Sequence, residues 1–83
     1  MKVTVCYFAS IREAIGQGSE AVETAATTLG ALRDELIARG GAHASSLARG
    51  RAVRMALNQT LSDESATLAD GAEVAFFPPV TGG

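Results

Sequence analysis

One stretch of this chain carries a helical period long enough to cover a sheet: Leu29, Leu32, Leu36 and Ile37, set between Thr27-Thr28 and Gly40-Gly41. Either threonine suits the N-cap, the glycines end the helix, and Arg39 falls in the last turn, where the helix dipole favours a cation. The flanking segments alternate instead. Val3, Val5 and Tyr7 are interleaved with Lys2, Thr4, Cys6 and Phe8, and Val22, Thr24 and Ala26 with Ala21, Glu23 and Ala25. Val53, Met55 and Leu57 continue the pattern into an Asn58-Gln59 turn, with a brief strand at Thr60-Leu61. Leu68 tucks back into the core, and Asp70-Gly71 turns the chain into a last strand, Glu73 to Phe77. Period two marks half-buried strands, and the turn residues mark their ends. The order is strand, strand, helix, strand, strand. A single helix covers one face of a sheet, so the class is α+β, a mixed sheet with the helix on one side and the other side accessible. By strand parity Val3, Val5, Tyr7, Val74 and Phe76 face one way, and Cys6, Phe8, Ala75 and Phe77 the other. Ser10 is expected to cap a short helical stretch from Ile11 to Ile15, ended by Gly16-Gln17-Gly18, and Ala42 to Gly50 to form a surface loop with at most a helical turn near Ser46 to Ala48.

Eighty-three residues, 47% of them hydrophobic, suffice for one domain with one core and leave no room for a deep cleft, which points to work done with partners. Nine acidic against seven basic residues, with Arg49, Arg51 and Arg54 the one close basic group, speak against nucleic acid as a ligand. Met1 to Ala9 has a single lysine and alternates at once, so neither a secretory segment nor a membrane span is expected, and the expected location is cytoplasmic. Cys6 has no partner cysteine and fits a small hydrophobe in a strand better than a persulfide relay. His43 stands alone in the expected loop, and a metal site needs several ligands. Gly16-Gln17-Gly18 lacks the Lys-Ser/Thr of a phosphate loop, so the chain is not expected to hold ATP by itself.

The last strand runs into Pro78-Pro79-Val80-Thr81-Gly82-Gly83. Two prolines after a strand supply no ladder donors and hold the backbone extended, which directs it off the sheet. At about 3.1 Å per residue the segment from Pro78 to Gly83 spans on the order of 19 Å, enough to place a carboxylate inside another protein. Gly82 and Gly83 carry no side chains, so a narrow channel admits them. From the residues alone, a frayed terminus accounts for them equally well.

Met55 to Leu61 and Leu68 to Gly83 resemble the small, sulfur-carrying subunits of molybdopterin synthase almost throughout. Val5 to Glu13 is similar to that family's opening strand and helix, and Thr28 to Arg33 to the start of its main helix, while Gly41 to Arg51 carries almost no family signal. A terminal Gly-Gly is shared with ubiquitin-like modifiers; Phe-Phe-Pro-Pro-Val-Thr-Gly-Gly is far more specific. The resemblance implies a ubiquitin-like β-grasp domain over residues 1–77 and a projecting tail over 78–83. It also implies a cycle. A partner adenylating enzyme, similar to ubiquitin-activating enzymes, uses ATP to turn the Gly83 carboxylate into an acyl-adenylate, and a sulfur donor protein converts that to a thiocarboxylate. The charged tail then enters the large synthase subunit and gives its sulfur to cyclic pyranopterin monophosphate, forming the dithiolene of molybdopterin. The assembly implied is two small and two large subunits. Catalytic side chains are expected in the large subunit, which makes this chain a stoichiometric sulfur donor with no cofactor of its own. The residues carried over are Gly83 with Gly82 at the reacting end; Phe8, Leu61 and Phe77 as docking anchors; Pro78, Pro79, Val80 and Thr81 as tail contacts; and Arg12 as a charged contact, for which a solvated Arg12-Glu13 pair is the alternative. Ser62-Asp63-Glu64-Ser65 stands where the family often has an apolar and aromatic stretch, and Ala26 where a bulkier residue is usual. Three readings stand beside this one: a sulfur carrier for thiazole synthesis, a modifier joined to lysines through Gly83, and a non-catalytic β-grasp module that pairs through a sheet edge.

Overall fold

The computed structural model describes residues 1–79. Its elements are β1 (Lys2–Tyr7), α1 (Ala9–Ile15), β2 (Ser19–Glu23), α2 (Leu29–Ala38), α3 (Gly41–Leu47), β3 (Arg54–Leu57), β4 (Thr60–Ser62) and β5 (Glu73–Phe77). The strands form one sheet in the order β2-β1-β5-β3-β4. β1 and β5 run parallel at its centre, with Val5 opposite Val74 and Tyr7 opposite Phe76, and the other pairs are antiparallel. A mixed sheet with helices packed on one face is the β-grasp arrangement expected from the sequence.

Strand parity holds in detail. Val3, Val5, Tyr7, Val74 and Phe76 are at most 1% exposed and pack with Leu29, Leu32 and Leu36 of α2 in one core. The Thr28 hydroxyl caps α2 by accepting the Ala31 N–H at 3.2 Å. The next free donors of that helix end go to the segment before β5: Leu29 N–H to the Ala66 carbonyl and Gly30 N–H to the Glu64 carbonyl, both at 3.0 Å. Gly30 suits this close approach: a β-carbon there would lie 2.9 Å from Glu64 Oε1 and 3.2 Å from the Glu64 carbonyl oxygen, so the Glu64 segment would have to shift. Asn58 and Gln59 both take positive φ, +50° and +68°, which matches a tight hairpin turn between β3 and β4.

Three local expectations are corrected. Ser10 does not cap α1: the chain turns at Ala9 with φ of +51°, and the Ile11 and Arg12 N–H groups go to the Phe8 carbonyl. β2 is Ser19–Glu23 rather than a strand reaching Ala26, because the Thr24 hydroxyl accepts the Ala26 N–H at 2.9 Å and donates to Glu35 at 2.6 Å, a turn that ends the ladder. The span expected as a loop contains α3, so three helices rather than one cover the sheet face. α3 is fixed by a contact that no local pattern shows. Arg33 of α2 is 4% exposed, and its guanidinium donates to the carbonyls of Leu47 at 2.7 Å and Ala48 at 2.8 Å, capping the end of α3 while Leu47 fills the core.

Candidate functional site

Residues turned away from the helices make a second face. Cys6, Ala75, Ala56 and Leu61 lie in one row across four strands. The adjoining row, at the end of β5, holds Phe8, Phe77 and Arg54: Arg54 pairs with Phe77, and the Phe8 N–H donates to the Phe76 carbonyl at 3.2 Å. Phe8 is 48% and Leu61 63% exposed, and Phe77 is half-buried. The sheet therefore brings Phe8, Phe77 and Leu61 to one face, with β5 and β4 about 10 Å apart. Large apolar side chains gathered on one open face of a small domain are the kind of surface that interfaces bury. Pro78 and Pro79, half-buried, follow directly and leave the ladder. Val80, Thr81, Gly82 and Gly83 lie outside the described residues. Arg12 is not part of the patch. Its guanidinium lies against Gly18, whose carbonyl accepts from Tyr7, on the opposite flank of β1 from Phe77.

Cys6 sits half-buried in the apolar row, and burial, followed by the Glu73 carboxylate, pushes its thiol up. That keeps it protonated and a poor nucleophile. Among the described residues no group of three or more His, Cys, Asp or Glu is placed to hold a metal ion, and no helix is long and apolar enough to cross a membrane.

On the helix side, a polar cluster joins elements far apart in the chain, and no local sequence pattern announces it. Glu20 of β2 accepts from the Tyr7 hydroxyl at 2.6 Å and from Arg39 at 2.9 Å, and its carboxylate lies 2.9 Å from His43 Nε2 of α3. The His43 ring meets Tyr7 edge-on with centroids 5.8 Å apart. Burial alone would raise the Glu20 carboxyl, but hydrogen bonds from Tyr7, His43 and Arg39 outweigh it and hold the group down to about 2. Burial first, and then the Glu20 carboxylate, push the Tyr7 phenol far up. A carboxyl depressed from 4.5 on folding stabilises the fold fully above that value and loses its contribution as pH falls from 4.5 towards about 2. Its contribution at neutral pH is roughly 2 kcal/mol, after allowance for partial solvent access. Urea unfolding of Glu20→Gln between neutral pH and about pH 3 is expected to show lower stability at neutral pH and a flatter acid decline than wild type. Parallel acid limbs for the two proteins would remove the cluster from the acid response.

The comparisons with known proteins agree with this fold. The profile described as the ThiS family matches residues 5–83. The chain is 42% identical over 81 residues to the molybdopterin synthase sulfur carrier subunit of Escherichia coli K12, covering 98% of this chain and 99% of that one. The complex of subunits 1 and 2 of the molybdopterin-converting factor of Helicobacter pylori contains a similar chain, 28% identical with a TM-score of 0.70 and full coverage of both chains. SAMP1 of Haloferax volcanii is 25% identical with a TM-score of 0.78, again over the whole of both chains.

Proposed function

The chain belongs to the ThiS family, and from that premise we propose that it is the sulfur-carrier subunit of a molybdopterin synthase, with Gly83 as the residue that carries the sulfur. The observation that carries this reading is the placement of Phe8, Phe77 and Leu61 on one open face, at the end of the strand from which Pro78-Pro79 leads towards Gly82-Gly83. An apolar face beside the start of a segment that ends in two residues without side chains lets one protein dock a domain and receive its end in the same encounter.

The chemistry follows from the carboxylate. It is a poor electrophile until one oxygen joins a good leaving group, which an adenylating partner supplies from ATP. A sulfur donor then displaces the adenylate, and the resulting thiocarboxylate is the nucleophile. The domain, residues 1–77, docks on a large subunit, and residues 78–83 reach its active site, where the catalytic side chains lie. With a large subunit that itself dimerises, two carriers complete the assembly.

The likeness to SAMP1, a small archaeal modifier protein, favours a second reading, in which Gly83 is joined to lysines. Both readings need activation at Gly83 and differ in the product. Intact mass spectrometry after incubation with the adenylating enzyme, ATP and a sulfur donor is expected to show a gain of about 16 Da, one oxygen exchanged for sulfur, with fragmentation placing it on Gly83. A gain of about 32 Da on Cys6, one added sulfur, with no exchange at Gly83 would overturn the carrier mechanism, and lysine-linked conjugates without the Gly83 exchange would favour the modifier.

A further inference from the structure

β4, the 63–66 segment and the start of β3 enclose an open groove of about 670 Å³. Val53, Met55, Leu61 and Ala66 supply its apolar lining. Of its three charged residues, two are already committed. Glu64 gives one carboxylate oxygen to Arg33 at 3.4 Å and the other to Arg49. Asp63 Oδ1 accepts the Ser65 N–H at 2.9 Å and the Ser65 hydroxyl, holding the local turn. Arg54 is exposed and makes neither an ion pair nor a side-chain hydrogen bond among the described residues. The wall opposite it is preformed, because the Glu64 and Ala66 carbonyls are tied to the first turn of α2.

The groove is continuous with the docking face. Leu61 belongs to both, and Arg54 pairs with Phe77 in the β3–β5 ladder, one strand from the start of the tail. We propose that this groove receives a segment of the large synthase subunit in which a carboxylate side chain neighbours an apolar one. The apolar group packs on Leu61, which is exposed on the same face of the sheet as Arg54, and the carboxylate pairs with Arg54. Arg54 is then a specificity-determining residue, because a large subunit lacking that carboxylate leaves the guanidinium desolvated and unpaired. The proposal rests on the carrier reading above, which supplies the partner. The area is wide and shallow, which suits a protein segment better than an enclosed small molecule.

The test titrates the cognate large subunit with wild type, Arg54→Lys, Arg54→Glu and Phe77→Asp at low and high salt, following association rates and equilibrium binding. Arg54→Glu is expected to raise Kd about tenfold or more at low salt, mainly through slower association, with the difference shrinking as salt is added. Arg54→Lys keeps the charge but not the planar fork and is expected to fall between the two. Melting temperatures should stay near wild type, since Arg54 is exposed and makes neither an ion pair nor a side-chain hydrogen bond among the described residues. Equal binding of Arg54→Glu and wild type at low salt would overturn the groove proposal, and a loss shared by Arg54→Lys and insensitive to salt would overturn its ionic basis. In either case, loss of binding by Phe77→Asp would leave the carrier reading standing. Failure of the wild type to bind would remove both.

Discussion

Deletion of Gly83, or addition of one residue after it, is expected to abolish sulfur transfer while leaving the melting temperature nearly unchanged. A chain one residue shorter ends about 3.5 Å back along its path. A misplacement of about 1 Å at a reacting atom already costs about a hundredfold, so a full residue removes the reaction. The fold is spared because every buried core residue among the described ones lies at or before Phe76. Docking is expected to persist as well, since Phe8, Leu61 and Phe77 are untouched. Single-turnover sulfur transfer, with binding and melting measured on the same preparations, separates these effects. Full transfer by the variant lacking Gly83 would end the tail mechanism.

The second large effect divides two neighbours. Phe76 is 0% exposed beneath the helices and stacks with Tyr7 at 6.4 Å, whereas Phe77 is half-buried on the opposite face. Phe76→Ala is therefore expected to cost the fold about 3–5 kcal/mol. Phe77→Asp is expected to weaken docking on the large subunit by about 2–4 kcal/mol, a factor of thirty to a thousand, as for a central aromatic anchor. Its cost to the fold is smaller, partly because Arg54 stands directly across the ladder and offers the new carboxylate a cross-strand partner. Calorimetric titration and thermal melts test both halves. A Phe77→Asp protein that unfolds readily while its folded fraction binds like wild type would place Phe77 in the core.

What the sequence revealed was written in local chemistry. β5 emerged with its observed bounds because Asp70-Gly71 and Pro78-Pro79 punctuate it on both sides, and Thr28 caps α2 as its hydroxyl suggested. Alternation placed Phe8 and Phe77 away from Tyr7 and Phe76, since parity survives errors in strand ends. β2 kept that parity while its end moved, because Thr24 forms a turn that no period records. α3 was missed for a different reason: Gly41–Leu47 has one large apolar residue and no helical stripe, and its end is capped by Arg33 from another helix. The polar 62–65 segment stands where the resemblance leads one to expect apolar and aromatic residues. Glu64 is held there by ion pairs with Arg33 and Arg49, a role visible only once the arginines are positioned.

β5 lies between β1 and β3 in the sheet, yet it is the last strand in chain order, and its parallel ladder with β1 joins residues about 70 positions apart. A ribosome that stops before Glu73 yields a chain whose first strand has lost its central neighbour and whose β3–β4 hairpin is detached from the rest. Such a chain cannot close its core and is left to proteases. Completion of the core is thereby tied to completion of the chain: a polypeptide acquires its central strand only once synthesis has passed through the residues immediately before the proline pair.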